Sequence, residues 1–572
     1  MSENFLVIDT ETTGLHFIKD YPFGFAYKNI NNANYLEMKH GVRLLNTLIE
    51  KADVLIFHNA KFDLHMLIQA GISWPLLKSK DIFCTHVASV LCNEHRFSHS
   101  LDALGEEFFN IGKTDICKEV REHIGNKRLS KSKCMGMLKE MPFSIVAEYA
   151  MRDVEITYRL WEKFKENLKD EEVEKIFALE MDLVKTLIQI ERRGIDVDEK
   201  ELKKALQIYQ KNVNTSQRAV NDLAGFDLNT SSHLQMTEAF ENLGIHPPFN
   251  RETGRPTFAK KALEGLSGPL PKAVLKLRHA RKLLEGFLIP MKDFIIDGKL
   301  YTNFNAVKSD DYGTVTGRLS SSSPNMQQIP KRNADTFKVM RSLFKAPEGY
   351  DWICGDWEQF EFRIFAHYSR DLTLIGEYIK NPNIDFHTLV AEMAGIERFK
   401  AKTINLGLSF GMGATRLAKE LNLPTKHNEN NIEVPGEEAQ ELFELYHERF
   451  PSVKSTLNRI VSKAGKKKHI RTILKRKLRF PESKFSYKAG AYLFQGSAAD
   501  LMKKKAIELN DAIKPYGAKL ILLVHDEYNI ICPKQHTEKV KEIYTQVVQD
   551  VPELRVPVLG NVKHGKNWYE AS

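Results

Sequence analysis

The sequence predicts a multidomain α/β protein, because strand-like and helix-like patterns alternate near both ends of the chain. Residues 4–15 and 52–67 each read as a strand that runs into acidic or polar side chains. Residues 143–168 have the apolar spacing of a long amphipathic helix. These patterns make residues 1–168 an α/β unit, and a chain of 572 residues is long enough for roughly three to four domains.

The rest of the chain continues in helical and strand-like blocks. The apolar pattern predicts helices over 170–222, with Gly194 as the residue that ends the first of them. Strands follow after residue 300, long helices run from about 385 to 465, and strands return around 520–532.

Composition excludes several classes of protein. Charged residues make up 27% and hydrophobic residues 42% of the chain, as in ordinary soluble globular proteins. The six cysteines form no CxxC pair, so neither a zinc site nor a disulfide framework is expected. No signal peptide is visible, and no apolar run approaches the ~20 residues that span a bilayer. We therefore expect no membrane partner and a cytoplasmic location.

The charge balance is compatible with nucleic acid but does not require it. Lysine and arginine exceed aspartate and glutamate by 83 to 74, which gives a net charge of +9. Nine of the basic residues lie in 463–480. This basic run is either a solvated face or a patch that follows phosphates.

Four acids in the first unit are spaced so that they can share one site. Asp9 and Glu11 are two apart on a strand and point to the same face. Asp63 lies at the start of a helix, and Tyr149 and Asp153 are four apart on one helix face. Four carboxylates in one place would repel each other unless they surround divalent cations, which prefer oxygen ligands.

This order of motifs resembles the DEDDy 3′–5′ exonucleases. The resemblance implies a ribonuclease-H-like fold and removal of nucleotides from a DNA 3′ end. It also implies two Mg²⁺ ions held by Asp9, Glu11, Asp63 and Asp153, with Tyr149 orienting the attacking water.

A second pair of acids interrupts apolar segments in the remainder of the chain. Asp526 lies in "LILLVHDEYNII" (520–531), and Asp356 follows the apolar start of "WICGDWEQFEFR" (352–363). Because an unpaired buried carboxylate costs several kcal/mol, Asp526 is expected either at a hairpin tip that reaches water or beside a positive charge. Two aspartates at strand tips suit a two-metal site.

Between these acids, "RFKAKTINLGLSFGM" (398–412) predicts a helix that presents Arg398, Lys402 and Phe410 on one face. Together the three segments resemble motifs A, B and C of the family A DNA polymerases, the group of bacterial DNA polymerase I and its bacteriophage relatives. "TVTGRLSSSSPNMQQIPKR" (314–332) and "FQGSAADLMKK" (494–504) match further signatures.

The resemblance covers nearly the whole chain and implies its domain organisation. Residues 1–168 would form the exonuclease domain and residues 169–572 a right-hand polymerase domain. Its subdivisions would be a thumb at about 180–300, a palm at about 301–375 and 485–572, and fingers at about 376–484.

The resemblance also implies the roles of individual polymerase residues. Asp356 and Asp526 would hold two Mg²⁺ ions, which Mn²⁺ can replace, while Glu527 is either a further ligand or a supporting or solvent-facing acid. Lys402 would also act as the acid for departing pyrophosphate. Residues implied in binding the dNTP are Arg398, Lys402, His387, Glu361, Gln359, Phe410 and Leu406. Residues implied in binding primer–template DNA are Arg318, Asn325, Gln327, Gln495 and His525, and the basic run becomes part of the DNA-facing surface.

Four positions depart from the family pattern. Leu406 replaces an aromatic residue and Phe410 a tyrosine whose hydroxyl commonly bonds the sugar-gate glutamate, here Glu361. We therefore expect poor dideoxynucleotide acceptance and low but measurable ribonucleotide incorporation. Glu358 and Ala491 also depart, which leaves a changed template or base preference open, even for a non-standard purine.

The expected role is replication of a phage or small genome in a bacterial or phage-infected cytoplasm, with repair left open. We expect a monomer without a 5′-nuclease domain, because the exonuclease motif begins at residue 7, and without a thumb insertion for a processivity factor. Three alternatives remain: an exonuclease with a degenerate polymerase half, a non-catalytic nucleic-acid-binding protein, and a template-directed RNA polymerase. Intact Asp356 and Asp526 disfavour the first, and Glu361 disfavours the last.

Overall fold

The computed structural model describes residues 4–111, 115–250, 253–329 and 334–572. It contains two compact units, each built from several stretches of the chain. The first unit comprises Met1–Arg192, Phe304–Ser322 and Ile353–Lys563, and the second comprises Arg193–Asn303, Ser323–Trp352 and His564–Ser572.

A five-stranded mixed sheet organises the amino-terminal part of the first unit. Its strands are β1 (Phe5–Thr12), β2 (Pro22–Lys28), β3 (Ala33–Glu37), β4 (Val54–Phe57) and β5 (Asp81–Cys84). The spatial order is β3-β2-β1-β4-β5, with β1 antiparallel to β2 and parallel to β4. Leu6, Val7 and Ile8 of β1 and all four side chains of β4 are buried, as expected for strands inside a sheet.

Helices cover this sheet. They are α1 (Met38–Lys51), α2 (Ala60–Gln69), α3 (Trp74–Ser79), α4 (Thr85–Cys92), α5 (Leu101–Phe109), α6 (Ile116–Ile124), α7 (Lys131–Gly136), α8 (Phe143–Asp170) and α9 (Glu174–Arg193). The amphipathic helix predicted over 143–168 is α8, whose apolar stripe packs on β1, β2 and α4. Gly194 follows α9 with a φ of +63°, the left-handed conformation with which helices commonly end.

The second unit is mainly helical. Its elements are β6 (Ile195–Asp196), α10 (Glu199–Ala224), α11 (His233–Asn242), α12 (Lys260–Glu264), α13 (Pro269–Leu283), a π-helical turn (Leu284–Leu288), α14 (Ile289–Met291), β7 (Ile295–Ile296), β8 (Lys299–Leu300) and α15 (Ala334–Ser342). Helices α10 and α13 pack along each other, and β6, β8 and β7 form a small sheet.

The carboxyl-terminal part of the first unit is built around a four-stranded sheet. Short strands β9 (Asn303–Asn305) and β10 (Ser320–Ser322) precede β11 (Tyr350–Trp357). The sheet has the order β16-β17-β11-β18, with β16 (Lys519–Val524), β17 (Glu527–Pro533) and β18 (Gly560–Gly565). The apolar segment 520–531 is therefore a hairpin, and His525 and Asp526 form its two-residue turn.

Helices and two small hairpins complete this part. They are α16 (Phe360–Ser369), α17 (Leu372–Lys380), α18 (Phe386–Ala394), α19 (Arg398–Ser409), α20 (Ala414–Leu421), β12 (Thr425–His427), β13 (Glu433–Pro435), α21 (Glu437–Arg449), α22 (Pro451–Lys467), β14 (His469–Arg471), β15 (Lys477–Arg479), α23 (Ala489–Ala512) and α24 (Thr537–Gln549). None of the helices in the described ranges is long and apolar enough to cross a membrane.

Candidate active sites

The four acids predicted to share a site do come together. Asp9 and Glu11 lie on β1, Asp63 lies in the first turn of α2, and Asp153 lies on α8. Burial raises the pKa of Glu11 well above its ordinary value, and the nearby carboxylates of Asp9, Asp153 and Asp63 raise it further. Burial likewise raises the pKa of Asp9 to about 7. Four acids that resist ionisation together form a site that favours positive charge.

Two neighbours orient the acids of this cluster, which we call the front site. The Thr10 backbone N–H and hydroxyl donate to Asp63 Oδ1 over 3.2 and 2.7 Å. The Tyr149 side chain lies close to the Asp153 carboxylate. Burial and the negative charges of Asp153, Glu11 and Asp9 raise the pKa of Tyr149, so its hydroxyl keeps its proton. The sequence did not single out Thr10, although it stands between two of the predicted acids.

The donor chemistry of the front site fits a divalent cation. All four candidate ligands are carboxylates, the type that Mg²⁺ prefers. Glu11 Oε1 is buried and has no hydrogen-bond partner among the described residues, which leaves an oxygen for a cation. No three His, Cys, Asp or Glu side chains in the described part of the chain already stand in a metal-holding arrangement.

The second pair of acids meets at one edge of the four-stranded sheet. Asp356 is near the end of β11, and Asp526 is in the turn before β17, the strand beside β11. His525 adopts a φ of +56°, which lets the turn close in two residues. Both aspartates are half-buried, and of the two alternatives for Asp526, the hairpin tip that reaches water is the one that the structure shows.

A cavity of about 300 Å³ opens beside this edge. Its lining includes Arg318, Trp357, Glu361, His525 and Asp526. The Arg318 guanidinium makes an ion pair with the Glu361 carboxylate, so the residue expected to meet DNA and the expected sugar gate bind each other here. We call this region the palm site.

Glu527 does not face solvent. Its side chain is 3% exposed, and Asn529 Nδ2 donates to its Oε1 over 3.1 Å. Of the alternatives that the sequence left open for this acid, the solvent-facing one is wrong, because Glu527 is the first residue of β17 and points into the core.

The helix expected to hold phosphates presents two cations. Arg398 and Lys402 are exposed and one turn apart on α19, and Arg398 Nε donates to Asp385 Oδ2 over 2.6 Å. Phe410 is not part of the helix, because α19 ends at Ser409 and Phe410 follows it as the cap. Its ring lies 5.5 Å from that of Phe494 on α23, and Leu406 is half-buried.

His387 and Gln359 are held by polar neighbours. The His387 ring is 1% exposed, and its Nδ1 lies 3.0 Å from Asn405 Nδ2; the Tyr446 hydroxyl donates to Asn405 Oδ1 over 2.7 Å. Burial lowers the pKa of His387 to about 4, which leaves the ring neutral at pH 7. Gln359 is the N-cap residue before α16, with a φ of +52°, and its side chain donates to the Ile384 carbonyl over 3.1 Å.

The residues expected to bind DNA lie in both units. Arg318 and Gln495 belong to the first, with Gln495 half-buried on α23. Asn325 and Gln327 belong to the second, where Asn325 Oδ1 accepts from the Gln327 backbone N–H over 3.1 Å. Residues 330–332, the end of the 314–332 motif, lie outside the described residues.

Part of the basic run has a different role from the one expected. The hairpin of β14 and β15 carries cations that pair with acids of the amino-terminal part of the same unit. These pairs are Arg471 with Glu172, Lys477 with Glu171, and Arg479 with Glu94 and Glu171. The interpretation of the whole run as DNA-facing is wrong for these residues, because their charges are already neutralised within the protein.

Arg476, in the loop between β14 and β15, is buried and bonds two acids. Its guanidinium bonds Glu180 Oε1 at 2.5 Å and Asp500 Oδ1 at 2.7 Å, and Lys503 Nζ donates to the same Glu180 oxygen at 2.6 Å. Gly317, the neighbour of Arg318, approaches this guanidinium so closely that an added Cβ would lie 2.7 Å from its Nε.

Comparisons with known proteins agree with this arrangement. A model described as DNA polymerase family A matches residues 199–570, and one described as a 3′–5′ exonuclease matches residues 3–169. DNA polymerase DpoZ of Vibrio phage phiVC8 is 32% identical over 610 residues, covering 98% of this chain and 95% of that protein. DNA polymerase DpoZ of Acinetobacter phage SH-Ab 15497 is 31% identical, covering 99% and 97%.

Bacterial and structural relatives give the same result. DNA polymerase I of Treponema pallidum is 29% identical over 540 residues, which are 90% of this chain and 51% of that protein. The polymerase domain of Pol1 from M. smegmatis, solved in complex with DNA primer-template and dNTP, has a TM-score of 0.84 at 22% identity over 100% of this chain, which establishes the shared fold. The chain therefore belongs to DNA polymerase family A and is a DNA-directed DNA polymerase with a 3′–5′ exonuclease domain.

Proposed function

We propose that the palm site extends the 3′ end of a primer with dNTPs on a DNA template, and that the front site removes mispaired nucleotides from the same end. The observation that carries the proposal is the position of Asp356 near the end of β11 and of Asp526 in the turn before the neighbouring strand β17, beside a cavity lined by Arg318 and Glu361. The phage relatives support a role in replicating a phage genome.

The proposed domain boundaries are those that the sequence predicts. Residues 1–168 form the exonuclease domain and residues 169–572 the polymerase domain, with a thumb at about 180–300, a palm at about 301–375 and 485–572, and fingers at about 376–484. We infer that the chain works as a monomer on primer–template DNA.

Both sites would hold divalent cations, two Mg²⁺ each. Asp356 and Asp526 would hold them in the palm site, and Asp9, Glu11, Asp63 and Asp153 in the front site. When bound, such ions lower the pKa of the attacking oxygen and stabilise charge on the phosphate and its leaving group.

The protein's own residues then position the reactants in the palm site. Arg398 and Lys402 present two cations from one helix face to the triphosphate, and Arg398 exchanges its Asp385 partner for phosphate oxygens. Lys402 supplies a proton to departing pyrophosphate. His387 and Gln359 help to hold the dNTP, His387 on the side of its phosphates. Phe410 and Leu406 face the base and the sugar of the same nucleotide.

Selection of deoxyribose depends on Glu361. Its carboxylate fills the space that a ribose 2′-hydroxyl would need, and its ion pair with Arg318 holds it in place. Arg318, Gln495, Asn325, Gln327 and His525 contact the primer–template, where minor-groove acceptors are common to all base pairs. Such contacts check base-pair geometry and not sequence.

In the front site, Tyr149 and the carboxylates act on the scissile phosphodiester. The Tyr149 hydroxyl, which retains its proton, orients the attacking water. Thr10 keeps Asp63 in place through its two hydrogen bonds, so that the four acids keep their arrangement while DNA enters and leaves.

A primer-extension assay with Mg²⁺, with and without the four dNTPs, tests the proposal. Wild type should lengthen a labelled primer when dNTPs are present and shorten it when they are absent. Asp526→Ala should lose only extension, Asp9→Ala should lose only degradation, and the exposed control Glu538→Gln should keep both. Extension by Asp526→Ala would show that the palm site is wrongly assigned. Degradation by Asp9→Ala would do the same for the front site.

A further inference from the structure

Glu191 is a fully buried carboxylate near the end of α9 that belongs to neither acid cluster. Three donors reach it: Lys61 Nζ at 2.5 Å, His65 Nε2 at 2.7 Å and the Phe304 backbone N–H at 2.6 Å. Because a carboxylate can only accept, His65 must carry its proton on Nε2. Burial alone would raise the pKa of Glu191, but the charge of Lys61 and the bond from His65 lower it, so the side chain is an anion.

Two of these donors flank an acid of the front site. Lys61 and His65 are the residues two positions before and two positions after Asp63 on α2. Glu191 therefore binds the one turn of α2 from which Asp63 projects. A buried polar network whose members are hydrogen-bonded makes the segments that it joins rigid.

Arg192, the residue next to Glu191, also binds α2. Arg192 donates to Gln69 Oε1 over 2.8 Å and to the Phe17 carbonyl over 3.3 Å. The Phe17 ring, in the segment that follows β1, stacks on His65 with ring centres 4.4 Å apart. The end of α9 thus holds α2 and the segment after β1 as one assembly.

The position of α2 in turn sets the position of Asp63 relative to β1. Asp63 Oδ1 accepts two hydrogen bonds from Thr10, which stands between Asp9 and Glu11. A shift of α2 by a few tenths of an ångström would lengthen these bonds and separate one acid of the cluster from the other three. Residues that orient ligating carboxylates act in this indirect way.

We propose that Glu191 is a positioning residue for the 3′–5′ exonuclease reaction: its carboxylate fixes the turn of α2 that carries Asp63, and the Phe304 N–H ties this carboxylate to β9. The inference depends on the proposed front site. It assigns a function to an acid that touches neither the reacting atoms nor any of the four carboxylates.

Glu191→Gln is the appropriate variant. Glutamine keeps the size of the side chain and an oxygen acceptor for Lys61 and Phe304, but it removes the charge and the acceptor for His65. Glu180→Gln is a matched control, because Glu180 is also a fully buried glutamate of α9 but bonds Arg476 and Lys503. Glu174→Gln, exposed on the same helix, controls for the substitution itself.

Two measurements distinguish positioning from general stabilisation. The first is hydrogen exchange by mass spectrometry on the metal-free chain, in which Glu191→Gln should speed exchange over residues 60–69 and leave residues 38–51 of α1 unchanged. The second is excision from single-stranded DNA, in which kcat should fall by roughly tenfold, the lower end for loss of a ligand-orienting group. KM and the rate of primer extension should stay at wild-type values.

Asp63→Ala separates this inference from the proposed function. If Asp63→Ala leaves excision intact, the front site itself is wrong. If Asp63→Ala abolishes excision while Glu191→Gln changes neither exchange over 60–69 nor kcat, only the role of Glu191 is refuted. Equal acceleration of exchange in α1 and α2 would also refute it, because the effect would then be a general loss of stability.

Discussion

At the scale of single residues, the acids were predictable from sequence but their partners were not. Asp9 and Glu11 lie two apart on the apolar strand β1, and Asp153 lies four residues after Tyr149 within α8, so local spacing alone predicts which side chains share a face. The partner of Glu361 is 43 residues away along the chain, and no local pattern connects the two. The sequence predicted that Phe410 lies in the helix, but the helix ends at Ser409 and Phe410 is its cap residue, followed by Gly411.

The ion pair between Arg318 and Glu361 makes sugar selection testable. Glu361→Ala removes the side chain that blocks a 2′-hydroxyl, so the ratio of kcat/KM for dNTP over rNTP should fall by roughly tenfold or more, the effect of removing one steric barrier. The measurement is single-nucleotide insertion with matched dNTP and rNTP. Glu358→Ala, an exposed acid three positions earlier, is the control and should keep the wild-type ratio. An unchanged ratio in Glu361→Ala would show that this side chain does not meet the sugar.

At the scale of elements, the hairpin of β14 and β15 shows how a charged segment can be structural. Its sequence is among the most basic in the chain, which by itself favours a solvated or phosphate-binding surface. The acids that neutralise it lie about 300 positions earlier or more, for example Glu171 opposite Lys477. Sequence spacing cannot reveal such pairs, whereas the helix α8 and the hairpin of β16 and β17 depend on local periodicity and were predictable.

Substitution of Glu94 tests whether the contacts of this hairpin stabilise the protein. Its buried carboxylate accepts from the Arg479 backbone N–H at 2.5 Å and from Arg479 Nη1 at 2.6 Å. Glu94→Gln should lower the free energy of unfolding by about 1.5–3 kcal/mol, the usual contribution of hydrogen bonds to a charged group, as measured by urea denaturation.

Glu107→Gln is the comparison for this experiment. Glu107 pairs with Arg96, but its side chain is 47% exposed, and exposed pairs contribute about 0–1 kcal/mol. Equal losses in Glu94→Gln and Glu107→Gln would show that the hairpin contact adds nothing beyond a surface pair.

At the scale of the whole molecule, the net charge of +9 overestimates the number of cations that the hairpin of β14 and β15 can present to DNA phosphates. Lys466 and Lys467, in the last turn of α22, are exposed, whereas Arg471 and Arg479 are paired within the protein. The order of the strands β16-β17-β11-β18, and the joining of amino-terminal and carboxyl-terminal segments in one compact unit, also lie beyond sequence patterns, because both depend on contacts between distant parts of the chain.

The difference between exposed lysines and arginines that are paired within the protein predicts how DNA binding depends on salt. For Lys466→Gln with Lys467→Gln, the slope of log Kobs against log salt should become shallower by about one for each phosphate that the protein no longer neutralises. Arg471→Gln should leave the slope unchanged. Fluorescence anisotropy with a labelled primer–template between low and moderate salt measures both. If the slope changed for Arg471→Gln alone, Arg471 would be the residue that neutralises a DNA phosphate, and Lys466 and Lys467 would not.

The contacts of Glu191 have a practical consequence for anyone who wants the polymerase without its proofreading activity. A fragment that begins at residue 169 would retain Glu191 but discard Lys61 and His65, so the carboxylate would lose its ion pair and the hydrogen bond from the imidazole. Arg479 would lose Glu94 in the same cut. Inactivating the exonuclease by substitution of Asp9 leaves all of these pairs in place, so for this chain a point change is a sounder route than deletion.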